Sequence, residues 1–169
     1  MSILIVGGGI QLTTALIEVL LEQGDEVRVV ENDPELIARW RSLGAKPARG
    51  AVDDADLITR AAEGTRSLVL CDESFNLATM PEIETYLPSD TRLIFVFERS
   101  DPVVELAPGR QHVILRHLAK RSRLSVRRGL GYDAIARLVD AADDMAGEPR
   151  LVADLTTEDG WKALRLEPR

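Results

Sequence analysis

The chain has 169 residues, of which 45% are apolar and 29% charged, and a formal net charge of −7 at pH 7. This length suits one domain of ordinary size, and this balance excludes a chain that is disordered throughout. The negative charge disfavours general nucleic-acid binding, because proteins that neutralise phosphates usually carry a positive surplus. Apolar runs stop far short of the roughly 20 residues that a membrane span needs, so we expect no insertion into a membrane.

Cytoplasmic localisation is expected for two reasons. The segment Met1–Gly7 lacks the basic stretch and the long apolar run of a secretion signal. The chain also contains a single cysteine, Cys71, which fits a reducing compartment. One cysteine excludes a disulfide framework within the chain and any zinc site built from several cysteines. We interpret Cys71 as a small apolar residue of the core, and we predict neither a metal site nor a catalytic residue.

Short apolar runs alternate with amphipathic segments along the chain, which is the pattern of βαβ units around a parallel sheet. In chain order the predicted elements are strand Ile3–Val6, helix Ile10–Glu22, strand Glu26–Val30, helix Pro34–Leu43, strand Lys46–Arg49, a helix from Asp53 or Asp54 to Ala62, strand Ser67–Cys71, helix Leu77–Leu87, strand Arg92–Phe97, strand His112–Leu115, helix Tyr132–Met145 and strand Leu151–Leu155. The predicted fold is α/β: a three-layer, doubly wound parallel sheet followed by a C-terminal helical extension.

A glycine-rich turn, Gly7-Gly8-Gly9, joins the first strand directly to the first helix. In dinucleotide-binding Rossmann folds the first glycine permits the tight turn, and a later one lets the backbone approach a pyrophosphate at the helix N-terminus. Leu12 stands where these folds carry a third glycine, so either the helix stands off the sheet or the phosphate site is degenerate. Gly7 and Gly9 are assigned to the phosphates, and the adjoining Ile10 and Gln11 are predicted to bind the cofactor as well.

An acid, Glu31, ends the second strand about 20 residues after the glycines. A carboxylate at this place can accept hydrogen bonds from both ribose hydroxyls of an adenosine, and it repels the additional phosphate of NADP. Glu31 and the neighbouring Asn32 therefore predict NAD, or an adenine nucleotide such as ATP or ADP, as the ligand. The alternative is an acid that is merely exposed to solvent, beside a glycine turn that binds nothing.

Residues 2–118 resemble the nucleotide-binding N-terminal domains of the RCK type, found in regulators of potassium conductance and in potassium-uptake subunits. The strings that carry the resemblance are Ile3–Gly9, Glu31-Asn32-Asp33-Pro34-Glu35, Leu43-Gly44-Ala45, Arg49-Gly50 before Asp53-Asp54, Asp72-Glu73-Ser74-Phe75-Asn76, and Phe97–Pro102. The resemblance implies a nucleotide at Gly7, Gly9 and Glu31, with Asp72 and Asn76 beside the carboxyl edge of the sheet.

Three functions follow from these patterns. The leading one is an NAD(H)-binding or adenine-nucleotide-binding regulatory domain at residues 1–118. The RCK resemblance links it to potassium transport, to a membrane transporter as partner, and to a homodimer formed through residues 119–169. A third hypothesis is a Rossmann-like scaffold that has lost its ligand, because Leu12 and Ala51 replace a glycine and an aspartate that RCK domains usually keep.

The second hypothesis is a small NAD(P)-dependent oxidoreductase, because Val27–Leu70 resembles the atypical short-chain reductases. That resemblance lies in Asn32-Asp33-Pro34-Glu35 and in Arg49-Gly50. Active members use a tyrosine with a lysine four residues later, whereas Tyr86 is followed at that spacing by Asp90, and Tyr132 by Ala136.

A basic block extends from Arg116 to Arg128 in an otherwise acidic chain. It could clamp a phosphate or an acidic partner, meet the acidic residues near Asp140 across a dimer interface, or form a solvated helix face.

Overall fold

A computed structural model describes residues 1–71, 75–97, 112–116, 132–144 and 150–154 of the chain. The strands are β1 (Ser2–Val6), β2 (Glu26–Glu31), β3 (Lys46–Arg49), β4 (Ser67–Cys71), β5 (Arg92–Phe97), β6 (His112–Arg116) and β7 (Arg150–Asp154). The helices are α1 (Gly9–Glu22), α2 (Pro34–Leu43), α3 (Ala55–Ala61), α4 (Met80–Tyr86) and α5 (Tyr132–Asp144), with a short 3-10 helix at Leu77–Thr79 before α4.

These strands form one sheet in the order β3-β2-β1-β4-β5-β6-β7, and every neighbouring pair is parallel. The chain runs outward from β1 to one edge and then returns to β4 to run to the other edge. This is the Rossmann-like, doubly wound topology, which confirms the predicted fold class. In such sheets the crevice at the carboxyl ends of β1 and β4, where the direction reverses, is the place where ligands bind.

Both faces of the sheet are covered, which explains why its central strands are continuously apolar. Along β1, Ile3 and Ile5 belong to a core cluster shared with α1, α2 and α5, whereas Leu4 and Val6 belong to a second cluster shared with α3 and α4. All five residues of β4 are buried. The helices therefore form one layer on each face, as predicted.

The boundaries of α2 and α3 follow from their capping residues. The Asp33 side chain accepts a hydrogen bond from the Glu35 amide at 2.8 Å, and Gly44 ends α2 in a left-handed conformation with φ +104°. At α3 the two candidate caps are now distinguished, because Asp54 accepts a hydrogen bond from the Leu57 amide at 2.9 Å.

The segment predicted as one helix over Leu77–Leu87 differs in the structure. Asn76 caps a 3-10 turn, and α4 begins only at Met80, with Pro81 in its first turn. A proline is tolerated there because the first helical amides have no partner within the helix.

The elements after residue 118 belong to the same sheet and its cover. β7 pairs in parallel with β6 from His112 opposite Arg150, and α5 packs along α1. Asp143, near the end of α5, is buried and forms an ion pair with Arg66 and a hydrogen bond with Ser67. The division of the chain into 1–118 and 119–169 stays a prediction. No helix among the described residues has the length and apolar character to cross a membrane.

Candidate functional site

A cavity of about 600 Å³ lies at the carboxyl edge of the sheet, over the turn between β1 and α1. Its volume is in the range of sites that hold small molecules and cofactors. The cavity brings together most of the residues that the sequence singled out: Gly7, Gly9, Ile10, Gln11, Glu31 and Asn32.

The glycine turn is tightly packed from below. Gly7 has φ +83°, and a Cβ atom there would lie 2.7 Å from the Cys71 carbonyl oxygen and 2.8 Å from the Phe75 amide nitrogen. At Gly8 a Cβ atom would lie 2.6 Å from Thr13 Oγ1. A side chain is therefore excluded at Gly7, where it would meet backbone atoms, whereas one at Gly8 would require the Thr13 side chain to move. Gly9 adds a second left-handed residue at φ +60°. This confirms the tight turn predicted at Gly7.

The N-terminus of α1 points its unpaired amides toward this cavity. Gly8 is the N-cap residue and supplies no side-chain hydrogen bond, and the first turn of α1 contains no acidic residue. By contrast, α2 and α3 are both capped by aspartates and both carry an acid in the first turn. The positive end of α1 is thus left for an anion from outside the helix.

Leu12, which replaces the third glycine, faces away from the cavity. It is 4% exposed and belongs to the core cluster beneath α1. The cavity over the glycine turn therefore persists in spite of this substitution.

Glu31 lies at the opposite side of the cavity, at the end of β2. Its Oε1 atom accepts hydrogen bonds from the Asn32 amide at 2.9 Å and the Asp33 amide at 3.0 Å. These two bonds hold the half-buried carboxylate at the rim, and Oε2 has no hydrogen-bond partner among the described residues. The carboxylate can therefore accept hydrogen bonds from hydroxyl groups of a ligand.

One predicted residue, Asn76, is not among those that line this cavity. Asn76 is exposed, and its side chain accepts a hydrogen bond from the Ala78 amide at 3.1 Å, so it caps the 3-10 helix. Asp72 lies outside the described residues, as does the basic block beyond Arg116.

Besides Gly8, six further residues line the cavity that were not predicted as site residues: Thr13, Val29, Val30, Leu36, Val52 and Tyr132. Thr13 could have been found from helical periodicity, because it shares the buried side of α1 with Leu16 and Ile17 and yet carries a hydroxyl group. Tyr132 has no local signal, since only the packing of α5 along α1 carries it to the glycine turn.

Cys71 is 1% exposed, and its Sγ atom lies directly beneath the turn, 3.5 Å from the position that a Gly8 Cβ would take. In the parts of the chain that the structure describes, no group of three or more histidine, cysteine, aspartate or glutamate side chains could hold a metal ion.

No protein-family model and no curated protein matches the chain. Among solved structures, it is similar to UDP-glucose 4-epimerase from Bifidobacterium longum in complex with NAD⁺ and UDP. That match has a TM-score of 0.61 and 15% sequence identity, and it covers 90% of this chain and 77% of the epimerase.

Two other similar structures come from Escherichia coli. ChuY, described as an anaerobilin reductase, matches with a TM-score of 0.59 and 13% identity over 89% of this chain and 94% of its own. BdcA in complex with NADPH matches with a TM-score of 0.53 and 12% identity over 89% of this chain and 92% of its own. The chain spans only 47% and 23% of two other matched structures. At these identities the matches establish the Rossmann-like fold.

Proposed function

We propose that this protein binds a nicotinamide adenine dinucleotide, NAD or NADH, in the cavity at the carboxyl edge of the sheet. The observation that carries the proposal is the single cavity that joins the uncapped N-terminus of α1 to the carboxylate of Glu31. One end suits the phosphates of a dinucleotide, and the other suits the hydroxyls of its adenosine ribose.

The residues present fit such a ligand at both ends. At the phosphate end, Gly7 and Gly8 let the turn pack closely on β4 and α1, and the first residues of α1 line the cavity with their backbone amides available to a ligand. At the ribose end, Glu31 presents a negative charge, which opposes the 2′-phosphate of NADP and favours NAD. ATP and ADP carry the same adenosine and phosphate groups and are therefore tested beside it.

The structural matches support a nicotinamide dinucleotide over a role in potassium transport. The epimerase is described in complex with NAD⁺ and BdcA in complex with NADPH. None of these descriptions concerns potassium, so the proposal keeps the nucleotide of the RCK interpretation and leaves out its transport partner.

Titration calorimetry of the purified chain with NADH, NAD, NADPH, ATP and ADP tests the proposal. We expect NADH to bind more tightly than NADPH. Glu31→Gln removes the charge from the hydrogen bonds to the ribose, so it should weaken NADH binding about tenfold and narrow the preference over NADPH. The matched control is Glu18→Gln, an exposed glutamate on α1 that does not line the cavity. Flat traces for every nucleotide would contradict the proposal and favour a scaffold without a ligand.

A second candidate function is a reductase, and Tyr132 is the observation that favours it. Glu31 and Tyr132 are the titratable side chains lining the cavity within the described residues, and the phenol of Tyr132 carries an O–H group that can act as a donor. A bound dinucleotide would supply the hydride, while Tyr132 would hand a proton to the carbonyl oxygen of the substrate.

Consumption of NADH in the presence of a panel of aldehydes, ketones and quinones tests this second candidate. We expect Tyr132→Phe to abolish carbonyl reduction while NADH binding stays within about twofold, because the ring is kept. Tyr86→Phe is the control, since Tyr86 is 65% exposed at the end of α4 and does not line the cavity. NADH binding without turnover of any substrate would overturn the reductase function and leave nucleotide binding as the only function supported.

A further inference from the structure

Thr13 occupies an unusual place for a helical threonine. It is the fifth residue of α1, it is 3% exposed, and it lines the cavity. Because Cα–Cβ bonds in a helix tilt toward its N-terminus, the side chain reaches back over the first turn. Its Oγ1 atom lies only 2.6 Å from the position that a Cβ atom on Gly8 would take, so the glycine leaves room for it.

The hydroxyl of Thr13 has no hydrogen-bond partner among the described residues, unlike the other threonines within the α-helices. Thr14 donates to the Ile10 carbonyl at 2.7 Å, Thr59 to the Ala55 carbonyl at 2.7 Å, and Thr85 to the Pro81 carbonyl at 2.8 Å. Each of these hydroxyls is satisfied by the carbonyl four residues earlier. Thr13 instead borders the cavity with a hydroxyl that no described residue engages, so a ligand in the cavity can accept its hydrogen bond.

We propose that Thr13 is a phosphate-binding residue of this site: its Oγ1 atom donates a hydrogen bond to a diphosphate oxygen of the bound dinucleotide. The inference rests on the proposed function and deepens it, because it makes the diphosphate a determinant of affinity. Hydroxyl donors form strong hydrogen bonds with anionic oxygens, and the uncapped α1 amides converge on the same place.

This assignment also accounts for the altered glycine pattern. Leu12 turns into the core and Thr13 turns to the cavity, so the helix keeps a polar contact beside the glycines although the third glycine is absent. The glycine pattern in the sequence is therefore incomplete, but the proposed phosphate site offers one hydroxyl donor in addition to the backbone amides.

The test compares Thr13→Val with Thr14→Val. Valine keeps the branched shape of threonine and removes only the hydroxyl. Thr14 is the matched control, because it is the next residue of the same helix and its hydroxyl is bound to the Ile10 carbonyl. Calorimetry uses three probes: NADH, ADP, and adenosine, which has no phosphate.

We expect Thr13→Val to weaken NADH and ADP about tenfold, to leave adenosine unchanged, and to differ in this from Thr14→Val. Thr13→Ser restores the hydroxyl and should restore ADP binding to within about threefold of the original protein. It also serves as the reference if the valine variant folds poorly, with thermal unfolding measured for every variant.

The outcomes are separable. If the original protein binds neither NADH nor ADP, the proposed function fails and the role of Thr13 fails with it. If it binds both and Thr13→Val binds them equally well, only the role of Thr13 is overturned. An equal loss for adenosine would show a change in cavity shape, which also overturns the phosphate contact.

Discussion

Gly7 and Gly24 have nearly the same backbone conformation but different surroundings, so they separate two costs of replacing a glycine. Their φ angles are +83° and +86°; a Cβ at Gly7 would meet the end of β4, whereas nothing lies within 4 Å of one at Gly24. We expect Gly24→Ala to lower the free energy of unfolding by about 1 kcal/mol and Gly7→Ala by about 3 kcal/mol or more. Urea unfolding of both variants measures this, and equal losses would contradict the packing argument.

Glu26 predicts a specific acid sensitivity of the fold. Hydrogen bonds from Lys46, and then from Arg28 at 3.0 Å, lower the pKa of this carboxyl from 4.5 to about 2. Because the folded-state pKa is lowered, the stabilisation is present above pH 4.5 and is lost as the pH falls toward 2. Glu26→Gln should therefore show a smaller decline in stability between pH 4.5 and pH 2 than the original protein. Urea midpoints measured across this window test it, and parallel declines would refute it.

At the level of single residues, prediction from sequence succeeded where the signal is local. Gly7 directly follows β1 and Glu31 is the last residue of β2, so the strand ends alone place both at the carboxyl edge of the sheet. Tyr132 reaches the same cavity only through the docking of α5, and helix docking depends on contacts between distant segments that no local pattern encodes. Asn76 shows the converse, because its side chain serves the local backbone instead.

Among the elements, α5 forms two ion pairs of very different character, one with Arg66 beside β4 and one with α1. Asp143, with a side chain that is 1% exposed, pairs with Arg66, while Arg137 faces Glu22 of α1 at 3.7 Å with both side chains more than half exposed. We expect Asp143→Ala to cost about 3 kcal/mol, because it removes the buried carboxylate that pairs with Arg66 and accepts a hydrogen bond from the buried Ser67 hydroxyl, and Glu22→Gln to cost less than about 0.5 kcal/mol. Chemical denaturation of the two variants distinguishes them, and a small loss for Asp143→Ala would mean that apolar packing alone docks α5.

Most elements were predictable because each is marked by its own residues. Continuous apolar runs marked β1, β4 and β5, and the Asp33-Pro34 pair marked the start of α2. The start of α4 was not predictable to the residue, since Asn76 competes for the backbone as a cap and shifts the first turn to 3-10 geometry.

At the scale of the whole molecule, stability should fall from the centre of the sheet toward the β3 edge. β1 is paired on both sides and almost wholly buried, whereas β3 has four residues, contains Pro47 and is half-exposed or exposed. We expect amide hydrogens of Ile3–Val6 to exchange at least about 100-fold more slowly than those of β3. Hydrogen exchange followed by mass spectrometry or NMR measures the difference. Similar protection of the two strands would contradict the claim that position in the sheet sets local stability.

The sheet order itself follows from the alternation of strands and helices together with the general preference of such chains for a doubly wound topology. The position of β7 beside β6 is a property of the whole molecule, because a strand late in the chain has no local sign of its neighbour.

The close approach of Gly7 to the end of β4 has a consequence for how related chains diverge. A residue enclosed by its own fold remains under selection even after a ligand is lost, so Gly7 should persist in homologues that bind nothing. Glu31 has only a local role in the fold, and Thr13 lines the cavity with a hydroxyl that has no partner among the described residues. In a lineage without the nucleotide, these two positions should drift first, and their loss, rather than that of the glycines, would record when binding ended.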